Sequence, residues 1–178
     1  MSALDVLEKL KGIEARSLNP LQRILVITDG TLTEILEAAF FERIRLIKIS
    51  QQIVPSTAAH AQLAPAPGKN LLERKILLQG TKSNKNYVYA ESTIALDRLP
   101  TSFHDALTHS DTSLGRLWLE HKLETFKELL EVKQEQANEL SKHFHCEVSQ
   151  MLLVRTYRVI SAGAPIMVIS EYFPSEYH

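Results

Sequence analysis

The segment from Gln150 to Pro174 limits the fold more than any other part of the chain. "QMLLVRTYRVI" and "PIMVISEYF" are two apolar runs rich in β-branched and aromatic residues, separated only by "SAGA". That pattern predicts a β-hairpin across a short glycine-containing turn. Side chains alternate along a strand, so Met167, Ile169, Glu171 and Phe173 share one face, with Val168, Ser170 and Tyr172 on the other. Glu171 therefore stands on the more apolar face. A carboxylate there costs several kcal/mol unless it is paired or protonated.

"NLLERKILLQG" (70–80) and "NYVYAESTIAL" (86–96) predict a second antiparallel pair across the polar turn "TKSNK", and "IRLIKISQQIV" (44–54) predicts a further strand. "LETFKELLEVKQEQ" (123–136) fits helix or strand equally, as does the apolar run "LQRILVI" (21–27). Residues 3–15 read as a short helix, and Pro20 suits a first helical turn. Thr31 and Glu34 have the spacing of a capping box, which predicts a helix-turn-helix about Asp29–Gly30. "SFHDALTH" and "ANELSKHF" predict short helices, and Pro100 ends the strand before the first of them. The elements do not alternate in βαβ fashion. The expected class is α+β, a single antiparallel sheet of about six strands covered by helices.

A chain of 178 residues fits one domain with a real core, with 1–19 as a helical extension and 20–178 as the domain. The net charge of -1 gives no electrostatic case for nucleic acid or an anionic membrane as partner. No apolar run approaches the ~20 residues of a membrane span. A single cysteine, Cys146, excludes an internal disulfide framework and fits a reducing compartment. "MSALDVLEKLKG" mixes acids and bases in an amphipathic pattern unlike a signal peptide. A cytoplasmic location is expected, as monomer or homodimer.

A second charge breaks the pattern of its strand. Arg74 shares a face with Leu72, Ile76 and Leu78, and a guanidinium that cannot lose its proton needs a fork of acceptors there. Two readings stay open: Arg74 and Glu171 pair with each other, or both line a pocket for a small carboxylated ligand. Arg155 and Arg158 fall on opposite faces of their strand. Arg158 shares its face with Leu152, Val154 and Ile160, which makes it the better pocket candidate. Glu91, in line with Tyr87 and Tyr89, reads as a solvated or hydrogen-bonded carboxylate.

Two motifs mislead. "ILVITDGTLTE" (24–34) has the outline of an aspartyl-phosphate motif, but Ile27 occupies the place of the nucleophile. "HFHC" (143–146) offers three ligand types without a second cluster to complete a metal site, and Cys146 has no positioned base. No metal is expected.

Four segments together resemble the chorismate pyruvate-lyase family, in particular a divergent branch of it. They are "TDGTLTEIL", "ERKILLQG", "TSLGRLWL" (112–119) and "SAGAPIMVISEYFP". The resemblance implies an α+β domain whose active site closes under two helix-turn-helix flaps. It also implies conversion of chorismate to 4-hydroxybenzoate and pyruvate without metal or organic cofactor, commonly on the way to quinone rings. Arg74 would bind the ring carboxylate, and Glu171 would contact the hydroxyl end and assist proton transfer. Thr31, Leu32, Leu114 and Gly115 would line the pocket, with Arg158 or backbone N–H groups near Gly115 for the enolpyruvyl carboxylate. Where the family carries a further basic residue, this chain has Glu91 or a neighbour.

"YAESTIALDRLP" and "VRTYRVISAGAPIMV" also resemble the effector-sensing domain of GntR-type regulators, which implies the same fold used to bind a ligand without catalysis. Residues 1–19 are too few for the DNA-binding winged helix that precedes such a sensor, so a free-standing module is the form this alternative takes.

Overall fold

The computed structural model describes residues 2–65, 68–109 and 114–177. Its centre is one sheet of six antiparallel strands in the order β1-β2-β3-β6-β5-β4. The strands are β1 (Ile44–Pro55), β2 (Asn70–Gly80), β3 (Asn86–Ile94), β4 (Phe126–Gln136), β5 (Met151–Ser161) and β6 (Ala164–Pro174). The helices are α1 (Ala3–Glu8), α2 (Pro20–Ile27), α3 (Leu32–Phe40), α4 (Thr101–His109), α5 (Leu114–Glu120) and α6 (Ser141–Phe144).

The expected hairpin forms between β5 and β6. Ala162 and Gly163 turn it with φ of 50° and 77°, the left-handed pair that matches the twist of a two-residue hairpin. "LQRILVI" is helical because Asn19 and Gln22 cap it reciprocally and Pro20 stands at its first turn. "FKELLEVKQEQ" is the edge strand β4, with one irregularity between Leu129 and Glu131. Thr31 holds the N-cap position of α3, yet its side chain makes no capping hydrogen bond, so the expected capping box does not form.

Helices cover one face of the sheet in two groups. α2, α3 and the N-terminal segment place Leu7, Leu18, Leu25, Val26 and Leu36 against Leu78, Val88, Leu153 and Phe173. Leu7, Ile13 and Leu18 of the N-terminal segment thus share this core. α4 and α5 place Phe103, Leu107 and Leu117 against Leu72, Ile94, Val159, Met167 and Ile169. Burying such side chains contributes about 1.5–3 kcal/mol each, so each helical group is held down by its own apolar patch. The other face carries polar ladders, among them Thr156–Ser170 and the Lys75–Glu91 ion pair. No helix among the described residues is long and apolar enough to cross a membrane.

Glu42 fastens the end of α3 to the β2–β3 turn. Its carboxylate accepts from Tyr87 Oη, from Ser83 Oγ and from the backbone N–H groups of Lys82 and Ser83. These bonds, the Tyr87 and Ser83 side chains foremost, lower its pKa from 4.5 to about 2. A depressed folded pKa adds stability above the unfolded value that is lost as pH falls through the folded one. Melting curves between about pH 5 and about pH 2 should therefore show a steeper loss of Tm in the native chain than in Glu42→Gln.

Candidate active site

Between the two apolar patches the covered face of the sheet holds polar side chains around a cavity of ≈ 350 Å³. The α2–α3 turn supplies Asp29 to Thr33, and α5 supplies Leu114, Trp118 and Leu119. The floor is Arg74, Ile76 and Leu78 of β2, Ala90 and Ser92 of β3, Tyr157 of β5, and Ile169 and Glu171 of β6. Phe126 and Lys127 of β4 close one side. The volume lies within the range of about 300–1,000 Å³ typical of small-molecule sites.

Arg74 and Glu171 do not pair with each other. Arg74 stands opposite Ser92, and Ser92 opposite Ile169. Glu171 is two residues further along β6, so the two charges are offset by two strand spacings and two residues. That is about 10 Å across the strands and about 7 Å along them. Arg74 is 2% exposed and Glu171 5%.

The partner of Glu171 is Arg155, directly opposite it on β5. Arg155 Nε donates to Glu171 Oε2 at 3.0 Å, its Nη2 donates to the same oxygen, and Tyr157 Oη donates to Oε1 at 2.8 Å. All three contacts donate to the carboxylate. A carboxylate has about four acceptor positions, which leaves one for a ligand. Arg155 Nη1 also donates to the carbonyls of Val26 and Thr28, joining the sheet to the end of α2. Burial depresses the pKa of Arg155, but the charge of Glu171, together with Tyr157, the hydrogen bonds to Glu171 and the charge of Asp29, outweighs it and the pKa is raised. Burial, then Glu171, push the Tyr157 phenol well above its ordinary value.

Lys127 is the second basic side chain on the cavity wall. Its Nζ donates to the carbonyls of Asp29 at 3.0 Å and Gly30 at 3.3 Å. It also lies 5.3 Å from the centroid of Tyr157 and 5.6 Å from that of Trp118. Burial lowers its pKa, partly countered by Glu171. Trp118 Nε1, buried beside it, has no hydrogen-bond partner among the described residues.

Of the residues singled out from sequence, Arg74, Glu171, Thr31, Leu32 and Leu114 all line this cavity. Gly115 follows Leu114 in the first turn of α5, and Thr112 and Ser113 of the same segment lie outside the described residues. Arg158 is a correction. It points away from the cavity and pairs with Glu128 of β4, with 31% of its side chain exposed. The apolar company used to choose it over Arg155 was uninformative, because Leu152, Leu153 and Val154 are all buried and both faces of β5 are covered there. Glu91 accepts from Tyr89 Oη at 2.6 Å on the other face. His143 stacks on Tyr89 there, and no group of three metal-ligating side chains occurs among the described residues. Lys127, Tyr157 and Trp118 escaped the sequence reading. The one available signal was a lysine next to Phe126 in a strand of uncertain type.

Residues 26–178 match the family model described as chorismate pyruvate-lyase, Rv2949c-like. The chain belongs to this family. It is 35% identical over 168 residues to the chorismate pyruvate-lyase of Mycobacterium tuberculosis, covering 92% of this chain and 84% of that one. The Mycobacterium leprae chorismate pyruvate-lyase is 34% identical over 161 residues, with 90% and 77% covered. Among solved structures, the effector domain of PhnF from Mycobacterium smegmatis superposes with a TM-score of 0.66 at 11% identity, covering 83% of this chain and 90% of that one. The C-terminal domain of the histidine utilization repressor from Pseudomonas syringae gives 0.63 at 14%, covering 76% and 94%. Identities this low speak to the fold alone. They place the lyase-family chain in the same six-stranded architecture as GntR-type effector domains.

Breaking the buried pair from one side leaves the other charge uncompensated. Arg155→Met should lower the stability to urea by about 3–5 kcal/mol, and Arg155→Met with Glu171→Leu should regain most of that loss.

Proposed function

We propose that this protein is a chorismate lyase, which eliminates pyruvate from chorismate to leave 4-hydroxybenzoate. One observation carries the reading. A largely apolar cavity has a buried guanidinium, Arg74, on one side and a carboxylate, Glu171, held by three donors on the other. Chorismate has the matching poles, a ring carboxylate and, across the ring, the C4 hydroxyl. Membership of the lyase family and the identity to mycobacterial chorismate pyruvate-lyases support the same assignment.

In this reading Arg74 takes the ring carboxylate in its planar fork. The C4 hydroxyl donates to the remaining acceptor position of Glu171. The reaction breaks the C4–H and C3–O bonds. The C–H electron pair completes the aromatic ring, and the C3–O pair departs on enolpyruvate. That fragment takes up a proton at its methylene carbon and becomes pyruvate. Nothing is oxidised or reduced, and the gain of aromaticity supplies the driving force. The protein orients the substrate, excludes water and receives a proton beside C4. Glu171, positioned by Arg155, is the base within reach. Its role is thus that of an acceptor throughout.

The test is to incubate the protein with chorismate and quantify both products. Equal amounts of 4-hydroxybenzoate and pyruvate are expected. Arg74→Met should reduce kcat/KM roughly a hundredfold, through loss of a charge-assisted fork. Glu171→Gln should reduce kcat by on the order of 10²–10⁴. Tight binding of 4-hydroxybenzoate without turnover would instead indicate a ligand-binding module. Absence of both turnover and binding would overturn the reading.

A further inference from the structure

We propose that Lys127 is the subsite for the enolpyruvyl carboxylate of the substrate, and so the residue that distinguishes the dianionic substrate from the monoanionic product. This rests on the lyase reading above. The substrate's own geometry limits where that carboxylate can go. The enolpyruvyl ether leaves C3, next to C4, so its carboxylate falls beside the group that holds the C4 hydroxyl and far from Arg74.

Lys127 occupies that place. Its ammonium lies 5.3 Å from the centroid of the Tyr157 ring, and the hydroxyl of that ring is bonded to Glu171 at 2.8 Å. Arg155, though closer to Glu171, spends its guanidinium on that carboxylate and on two backbone carbonyls. Arg158 is on the other face with Glu128. Among the described residues no carboxylate lies within ion-pairing distance of Lys127. Two of its three N–H donors meet the carbonyls of Asp29 and Gly30, and the third remains for a ligand. There is also room. A second cavity of ≈ 290 Å³, bordered by Val6, Ile27 and Leu129, shares Asp29, Lys127 and Tyr157 with the first. The ammonium therefore stands where the two spaces meet.

The position has two consequences. A cation beside the C3 substituent stabilises the negative charge that develops on enolpyruvate as the C3–O bond breaks. The aromatic product lacks the second carboxylate, so it makes no ion pair with Lys127 and is held by fewer contacts than the substrate. Because the same ammonium is bonded to the α2–α3 turn, the substrate's arm also braces that helical pair over the site.

The experiment compares native protein with Lys127→Met and Lys127→Arg, using chorismate turnover and the Kd of 4-hydroxybenzoate. Lys127→Met should raise KM for chorismate about ten- to a hundredfold, with the product Kd within about twofold of native. Lys127→Arg should keep most of the affinity for chorismate. In the native protein KM should rise on the alkaline side as the ammonium loses its proton, starting below the ordinary lysine value because burial depresses it. That rise should vanish in Lys127→Met. An unchanged KM in Lys127→Met would overturn the proposal. So would parallel weakening of substrate and product, which would make Lys127 a brace for the α2–α3 turn only. Native protein without turnover would remove the lyase reading and this subsite with it, whereas turnover with an intact KM in Lys127→Met removes the subsite alone.

Discussion

The ion pair between Arg155 and Glu171 is the constraint around which the covered face of the sheet is arranged. Two adjacent strands bring the charges into direct register, and neither has water to fall back on. A buried pair of this kind gains little stability over apolar residues of the same shape. Its value here is positional. The pair fixes the carboxylate, and Arg155 reaches on to the carbonyls that end α2. The turn between α2 and α3 is thereby tied to the same point of the sheet that presents Glu171 to the cavity.

Packing explains why a cavity exists there at all. Each helical group brings its own apolar patch to the sheet, one toward Leu153 and Phe173, the other toward Val159 and Met167. Arg74, Ser92, Arg155 and Glu171 lie in the seam between these patches. Apolar side chains offer no hydrogen bonds to these polar groups, so neither patch extends across the seam. The result is an opening roofed by the α2–α3 turn and by α5, with Thr31 at its rim. Thr31 breaks the local rule of its helix, leaving its cap unmade where the chain borders the cavity. Departures from local consistency are expected where a chain serves a ligand rather than its own stability.

Much of this was readable from the residues. The final hairpin, the strands at 70–80 and 86–96 and the helix-turn-helix about Asp29 followed from period, turn residues and caps. Arg74 and Glu171 stood out because each is a charge among apolar side chains at period 2. What failed did so for physical reasons. On β5 both faces are buried around Leu152–Arg155, so alternation carries no information about which arginine faces inward. β4 is an edge strand with charges on five of its eleven residues and an irregularity in its middle. Its helix and strand patterns are equally good, and Lys127 could not be assigned a face. The partner of Glu171 was beyond reach for a different reason: pairing across β5 and β6 depends on register, which the turn at Ala162–Gly163 sets.

Two Arg–Glu pairs on one sheet show how little the residue types decide by themselves. Arg155 with Glu171 and Arg158 with Glu128 both join neighbouring strands, and the two arginines are three residues apart on β5. Arg158 and Glu128 keep much of their surface in water, where such pairs contribute little and are screened by salt. Arg155 and Glu171 sit where water is excluded, so each fixes the other's position. The same chemistry that decorates one face orders the other. In the sheltered pair the carboxylate keeps an acceptor position open toward the cavity, with the Lys127 ammonium one aromatic ring away. A site built this way has its charges oriented before any ligand arrives, so little reorganisation remains on binding.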